Sequence, residues 1–340
     1  MSEYIVIPAD RAGIALDEFL CLLYPECGKA WVRRQIRNGG VLVDGERASP
    51  SQRLREAEVL VLEFDDEDAP DPPAAPAVEI PILYEDGDLL VIDKPAGLAV
   101  EPERWAKDRG CLVGALLELF RTRAGAEAGD RPALDARPRI VHRIDKGTSG
   151  AVLVAKDVAA ERALRRCFDT GTIHKRYLAL VEGEHPLPAG ETALLDLPLG
   201  PDERRSGRQR VQPEGGKPAR TRVRVERRFR GYTLLACEPL TGRTHQIRVH
   251  LAAAGFPLAV DPQYGRRDAL HLSRLKADYR PKRGRPERPL IDRLTLHAAR
   301  IDVPEIAGDG SGVRAVVEAP LPRDFANTLK QLEKNRSWPT

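Results

Sequence analysis

The chain has 340 residues, enough for two domains, and its 42% hydrophobic and 31% charged residues are typical of a soluble globular protein. No apolar run reaches membrane-spanning length and the N-terminus has no signal-peptide core, so a cytoplasmic protein without a membrane partner is expected. The net charge is only +3, and the five cysteines form no C-x-x-C pair, which indicates reduced thiols and no cysteine-based zinc site.

The first 64 residues are predicted to form a small α+β module. A first helix is indicated by an apolar stripe at helical spacing, Leu16, Phe19, Leu20 and Leu23. A second helix is predicted over 29–38, ending at Gly39-Gly40, and its basic side chains share one face. Strands are predicted at 41–43 and 59–62, with Asp44-Gly45 as a tight turn.

The pattern LDEFL…WVRRQIRNGGVLVDG resembles the S4 RNA-binding domain. It departs from that family at Asp44, where Asn is usual. The resemblance implies that the second helix binds RNA through Lys29, Arg33, Arg34 and Arg37. A generic capping module is the alternative interpretation of this segment.

An acidic, Pro/Ala-rich stretch at 65–78 has a composition that cannot bury a core, so it is predicted to be a linker. The main domain is therefore expected over 79–335. A turn, a buried strand and a Pro/Gly break follow near its start, in YEDGDLLVIDKPAGL. Strands and helices then alternate without the rhythm of a parallel βαβ sheet, which predicts an α+β domain.

The loop 142–150, HRIDKGTSG, places Arg143 and Asp145 immediately before the apolar strand 151–155. A buried strand holds its preceding loop firmly, and such loops often carry catalytic groups. By itself, an Asp before a Lys-Gly-Thr turn is more often a turn former than a catalytic residue, because its short carboxylate caps nearby backbone N–H groups. The His-Arg-x-Asp string is not a kinase catalytic loop, since the accompanying kinase motifs are absent from the sequence.

Two further segments carry polar groups in strand-like patterns. Residues 175–183 alternate as a strand on which Tyr177 is either a core residue or a platform for a flipped base. Residues 246–251 are predicted to be a strand with Gln246, Arg248 and His250 on one face, lining a cleft. The two histidines at 245 and 250 lack a third ligand at suitable spacing, so no metal is expected.

The motifs LLVIDKPAGL, HRIDKGTSG, KRYLALVEG, TGRTHQIRVHLAAAGFPLAVDPQYG and LTLHAARI occur in the order found in RluA-type pseudouridine synthases. The chain resembles that family from about residue 80 to 325. The resemblance implies a pseudouridine-synthase fold, with a mixed, largely antiparallel central sheet flanked by helices and loops. The chain departs from the family at Asp93, usually Asn, and at Glu101, usually His.

The resemblance also implies roles for individual residues. Asp145 matches the catalytic Asp, Arg143 the Arg that fills the space left by the flipped nucleotide, and Tyr177 the aromatic residue against the uracil. Arg248 matches the basic residue that forms an ion pair with the Asp. Supporting positions are expected at His142, Gln246 and His250.

The reaction that the resemblance implies breaks the N1–C1′ bond of a uridine, rotates the uracil and joins C5 to C1′. Uracil departs as a delocalised anion, so one ionised Asp suffices, as nucleophile or as base, where glycosidases use two carboxyl groups. In a site that excludes water, a fixed cation is needed to keep that Asp ionised. No cofactor, metal or ATP is required, and none is expected.

Dense basic segments point to a nucleic-acid partner. Residues 204–230 hold eleven Lys/Arg and two acids, and 266–293 hold ten Lys/Arg and four acids. Such segments attract phosphates. We therefore expect a monomeric enzyme acting on RNA. By analogy with relatives that carry an S4-like module, large-subunit ribosomal RNA is favoured over transfer RNA. The alternatives are a non-catalytic RNA-binding or assembly factor and a small-molecule nucleosidase.

Overall fold

The computed structural model describes residues 3–24, 29–63, 78–101, 110–126, 138–188, 190–281, 284–306 and 312–338. These residues belong to two compact units, one formed by 1–77 and 101–138 and the other by 78–100 and 139–340. The predicted linker at 65–78 lies, except for Val78, outside the described residues, and the predicted domain boundaries stay predictions. In the described part of the chain, no helix is long and apolar enough to cross a bilayer.

The first unit contains a four-stranded antiparallel sheet with strand order β1-β4-β2-β3. Its strands are β1 (Glu3–Val6), β2 (Val41–Val43), β3 (Glu46–Arg47) and β4 (Val59–Leu62). Its helices are a 3-10 turn (Ala9–Arg11), α1 (Leu16–Leu23), α2 (Lys29–Asn38) and α3 (Leu112–Ala126). The predicted bounds of α2, β2 and β4 are confirmed.

Sequence pattern explains the local structure of this unit. Val32 and Ile36 on one face of α2 are buried, together with Leu16 and Phe19 of α1. Asp44 adopts a left-handed conformation (φ 50°) in the turn between β2 and β3, and its carboxylate accepts a hydrogen bond from the Val59 N–H (2.8 Å). An Asn side-chain oxygen could accept the same bond, so the departure from the S4 pattern at this turn is conservative.

The second unit is built on a ten-stranded sheet. Its central order is β10-β13-β14-β9-β15-β8-β6-β5, with β16 beside β15 and β7 beside β8. The strands are β5 (Ile82–Glu85), β6 (Leu89–Lys94), β7 (Arg139–Ile140), β8 (Ser149–Ala155), β9 (Lys175–Glu182), β10 (Thr192–Asp196), β13 (Arg220–Phe229), β14 (Tyr232–Pro239), β15 (Leu296–Pro304) and β16 (Val313–Glu318). A separate hairpin consists of β11 (Leu199–Pro201) and β12 (Gln209–Val211).

Among the described strands of this sheet, only β8 and β15 pair in parallel. The predicted mixed, largely antiparallel α+β fold is therefore confirmed. The helices of this unit are α4 (Val158–Thr170), α5 (Gln246–Ala253), α6 (Leu272–Leu275) and α7 (Arg323–Arg336). Leu164 of α4 packs with Leu153 of β8, and Phe325 of α7 packs with Leu234 of β14.

The prediction of a strand over 246–251 is wrong, because these residues form helix α5. All six of them are buried. A helix that is buried on every side has no solvent-exposed face. Its sequence therefore lacks the 3.6-residue alternation of polar and apolar residues by which helices are recognised. The polar and apolar residues of QIRVHL alternate as they would in a strand, although the segment is helical.

The approach of β8 to β15 determines where the loop before β8 lies. Gly150 has φ 113°, and a Cβ atom at this position would collide with the carbonyl oxygen of Ala298. Only glycine permits this close approach. The loop 142–148 is thus held at the end of a completely buried strand.

Candidate active site

Asp145 lies in the tight loop that precedes β8. The Thr148 N–H donates to the Asp145 carbonyl oxygen (3.0 Å), which closes a turn around the acidic residue. The carbonyl oxygen of Lys146 accepts a hydrogen bond from the Lys94 ammonium (3.2 Å). The backbone of this turn therefore fixes the loop, while the Asp145 carboxylate is left to project from it.

The Lys94 side chain is completely buried and connects two loops. Besides Lys146, its ammonium donates to the carbonyl oxygens of Pro95 and Leu98, both at 2.8 Å. Burial lowers the pKa of Lys94 to about 7, and the negative charge of Asp145 opposes that shift. Lys94 thus positions the loop that carries Asp145.

Arg248 of α5 forms an ion pair with Asp145. Its Nη1 lies 2.9 Å from Asp145 Oδ2, with the Arg248 side chain 5% exposed and that of Asp145 23% exposed. The other edge of the guanidinium is held by Asp261, whose carboxylate accepts from Nε (2.8 Å) and Nη2 (2.9 Å). This bidentate pair fixes the plane of the guanidinium and aims its free edge at Asp145.

Asp261 is itself held in place. Its side chain is 1% exposed, and Oδ1 accepts hydrogen bonds from the backbone N–H groups of Gln263 (2.9 Å) and Tyr264 (3.1 Å). The Gln263 side chain also accepts from Arg248 Nη2 (2.9 Å), and the guanidinium lies 4.9 Å from the centre of the Tyr264 ring. Arg248 is therefore anchored on every side except the one that faces Asp145.

Sequence reasoning missed these supporting residues, together with His245. All of them lie in the long motif that contains Arg248, and the only signal was the dense run of polar residues there. The acid at 261 follows an apolar stretch, FPLAV, which indicates burial. A buried Asp must be paired, so that observation could have pointed to an arginine partner.

A cavity beside Asp145 brings together several of the predicted residues. Its lining includes Arg143, Asp145, Tyr177, Gln246 and Arg248. Tyr177 is buried in β9, and burial together with the negative charge of Asp145 raises the pKa of its phenol. The exposed side chain of Arg143 lies at the mouth of the same cavity.

Of the three predicted supporting residues, only Gln246 reaches the cavity. Its amide donates to the Arg220 carbonyl (2.9 Å) and to Thr221 Oγ1 (3.0 Å), and its carbonyl oxygen accepts from the Thr241 hydroxyl (2.7 Å). His250, one helical turn later, lies between Thr221 Oγ1 and the Leu197 carbonyl. Both residues contact Thr221 of β13 and so brace α5 against the sheet.

His142 also lies away from the cavity. Its Nε2 accepts a hydrogen bond from the Leu153 N–H (2.9 Å), and its ring lies 5.0 Å from that of Phe168. Burial lowers the pKa of His142 to about 3, so the imidazole is neutral at physiological pH. The geometry assigns it to bracing the loop against β8.

His245 approaches Asp145 from the other side. It precedes α5 with φ 56°, and its Nε2 lies 3.8 Å from Asp145 Oδ1. The Tyr264 oxygen accepts from the Gln209 N–H (2.7 Å) and lies 2.8 Å from His245 Nδ1. Burial lowers the pKa of His245, and the negative charge of Asp145 opposes that shift.

Replacing Tyr264 with Phe is expected to lower kcat about tenfold and leave KM within about twofold. The variant keeps the ring beneath Arg248 but removes the hydrogen bonds that orient His245. Steady-state kinetics on the RNA substrate measures both constants, with Tyr4→Phe as control because Tyr4 is 70% exposed. An unchanged kcat in Tyr264→Phe would show that the Tyr264 hydroxyl is not needed to orient His245 for the reaction.

The basic segments are partly neutralised. In 204–230, Arg222 lies 3.1 Å from Glu238 and Arg227 lies 2.9 Å from Glu333. In 266–293, Arg267 pairs with Glu182 and Arg293 forms a bidentate pair with Asp324. The sequence density of Lys and Arg therefore overstates the charge that these segments offer to a partner. Within the described ranges, no three His, Cys, Asp or Glu side chains are grouped so as to hold a metal ion.

Comparison with known proteins agrees with this geometry. The family model described as RNA pseudouridylate synthase matches residues 88–253. Ribosomal large subunit pseudouridine synthase D of Xanthomonas campestris pv. campestris is 37% identical over 336 residues, which cover 97% of this chain and 92% of the relative. Ribosomal large subunit pseudouridine synthase C of Escherichia coli (strain K12) is 32% identical, with 98% of each chain covered.

A solved structure, Human RNA Pseudouridylate Synthase Domain Containing 4, matches with a TM-score of 0.53 and 23% identity. The match covers 74% of this chain and 93% of the human chain, and it supports the fold alone. The family match, by contrast, contains Asp145, Tyr177 and Arg248. Because the two curated relatives named above are similar to it along nearly their whole length, the chain belongs to the RNA pseudouridylate synthase family and is an enzyme that isomerises uridine to pseudouridine in RNA.

Proposed function

We propose that Asp145 is the catalytic residue of this isomerase and that its substrate is a uridine in large-subunit ribosomal RNA. The observation that carries the first part is the ion pair between Asp145 and the buried, doubly anchored Arg248 at the wall of a cavity. Asp145 is the carboxylate of that cavity lining. Uridine isomerisation requires one ionised carboxylate, and this arrangement supplies it.

The residues around Asp145 have complementary roles. Arg248 places a fixed positive charge 2.9 Å from the Asp145 carboxylate. Tyr177 offers a buried ring for the uracil to pack against. Arg143, at the mouth of the cavity, fills the space that the extruded nucleotide leaves, which offsets part of the unstacking cost of a few kcal/mol. The reaction breaks N1–C1′, forms C5–C1′, releases the C5 proton to water and places a proton on N1, so its atoms balance without a co-reactant.

The choice of ribosomal RNA rests on the relatives and on the first unit. Both curated relatives described above are named for the large ribosomal subunit. Helix α2 presents four exposed cations, as an RNA-docking module of the S4 type would. An enzyme acting on ribosomal RNA works in the cytoplasm of a bacterial cell, and a single chain holds all the proposed catalytic groups.

The decisive experiment is tritium release from RNA labelled with [5-³H]uridine, because joining C5 to C1′ expels that hydrogen. Ribosomal and transfer RNA would be isolated from a strain lacking this gene and incubated with the purified protein. Release from large-subunit RNA is expected. Release from transfer RNA alone would overturn the substrate assignment, and release from neither would overturn the activity of this chain.

The cations of α2 differ in their availability to RNA. Arg33 pairs with the buried Asp17 (2.7 Å), and Lys29 lies 3.6 Å from the same carboxylate. Arg34 and Arg37 are exposed and form no ion pair within the described part of the chain. We therefore assign the main phosphate contacts of α2 to Arg34 and Arg37.

The double variant Arg34→Gln/Arg37→Gln is expected to raise KM for ribosomal RNA about tenfold while kcat stays unchanged. It should also reduce the slope of log affinity against log salt by about 1.4, since each phosphate contact contributes roughly 0.7 on single-stranded RNA. Salt-dependent filter binding measures the slope. Lys330→Gln/Lys334→Gln, which removes two exposed cations from α7, is the control. Equal effects in both pairs would contradict a specific role for α2.

A further inference from the structure

A second and larger cleft lies next to the cavity of Asp145. It opens across the first residues of β9 and the end of β14, with a volume of about 540 Å³. Pro239 and Thr241 line both the cleft and the cavity. A chain segment leaving the cavity can therefore pass directly into this cleft, which has no part in the site described above.

The cleft carries an excess of positive charge. Four cations line it (Lys175, Arg176, Arg220 and Arg300), against two acids (Glu238 and Asp302). Only some of these cations lie beside an acid. Arg300 lies 2.8 Å from Asp302, and Arg176 lies 3.2 Å from Glu318. Glu238 pairs with Arg222. Lys175 and Arg220 have no acid partner among the described residues.

Lys175 is a partly buried cation in the wall of this cleft. Its ammonium lies 4.9 Å from the centre of the Phe168 ring. Burial lowers the pKa of Lys175 to about 8. An ammonium group removed from water without a counter-ion is costly, and an anion bound beside it would offset that cost.

The strand geometry relates Lys175 to the cavity. Residues two apart on a strand point to the same face, about 6.7 Å from each other along the strand. Lys175 is therefore one such step from Tyr177, the proposed platform for the target uracil, on the same face of β9. A basic groove beside an aromatic platform is the general arrangement by which proteins follow a single RNA strand.

We propose that this cleft is a phosphate-binding subsite, in which Lys175 and Arg220 hold the RNA backbone next to the flipped uridine. The subsite rests on the proposed function, because its ligand is the RNA strand that delivers the uridine to Asp145. Its role is to position the substrate, and it contributes no group to the chemistry.

The test uses the full-length protein and an unmodified transcript of large-subunit ribosomal RNA labelled with [5-³H]uridine. Lys175→Gln and Arg220→Gln are each expected to raise KM about tenfold, with kcat within about twofold of the wild type. Each should also lower the slope of log affinity against log salt by about 0.7. Lys175→Arg should restore most of the affinity, because it restores the charge.

Lys330→Gln, at an exposed position of α7, is the matched control and should change neither constant. Arg220 is exposed, so its variant tests the subsite even where Lys175→Gln perturbs folding. Wild-type KM and salt slope in the folded variants would overturn the subsite, as would a fall in kcat alone. The proposed function fails separately, and only if the wild-type protein releases no tritium from the transcript.

Discussion

Replacing Asp145 with Asn is expected to abolish isomerisation, with turnover reduced by at least about 10⁴-fold, the usual result of removing a catalytic nucleophile or base. Asn has nearly the same shape as Asp but carries no charge, so it cannot act on the nucleoside. The carboxylate is 23% exposed, and the turn that holds it is formed by backbone atoms. The fold should therefore be retained, and the circular dichroism spectrum should match that of the wild type.

RNA binding by Asp145→Asn should equal or slightly exceed that of the wild type, because the variant removes a negative charge from a phosphate-binding protein. Filter binding and tritium release on the same RNA separate the two properties. Glu333→Gln, which neutralises an exposed carboxylate on α7, is the control and should turn over normally. Turnover by Asp145→Asn above the limit of detection would refute the catalytic assignment.

The second large effect is expected from Arg248→Met. This change leaves Asp261, whose side chain is 1% exposed, as a buried and uncompensated charge. Breaking a buried ion pair in this way costs about 3–5 kcal/mol, so the free energy of unfolding should fall by that amount. Turnover should fall by at least about 10³-fold, because Asp145 loses the cation with which it pairs. Chemical denaturation and tritium release measure the two effects.

A compensating variant separates folding from chemistry. Arg248→Met/Asp261→Asn removes both buried charges, while the Asn oxygen can still accept from the N–H groups of Gln263 and Tyr264. Stability should return to within about 1–2 kcal/mol of the wild type, since no uncompensated charge then remains buried at position 261. Turnover should remain low. Recovery of turnover together with stability would show that Arg248 is needed only for folding.

The elements that the sequence predicted well are those whose pattern is local. Helix α2 and strand β9 follow their predicted bounds closely, because one has an amphipathic 3.6-residue period and the other alternates. The buried strand β8 was recognisable from an uninterrupted apolar run. Helix α5 was mistaken for a strand because it is buried on all sides, and neither period distinguishes such a segment.

The same distinction applies to the candidate site. The sequence by itself determined the residues that face the cavity, Asp145, Tyr177 and Arg248, because ordered motifs identified them one by one. Only the tertiary structure decided how they are held. The pair between Arg248 and Asp145 joins residues 103 positions apart, and Asp261, the anchor of that arginine, was not predicted. A hydrogen bond requires a donor–acceptor distance of about 3 Å and a suitable direction. Both are set by the packing of α5 against the sheet, and the spacing of residues along the chain does not contain them.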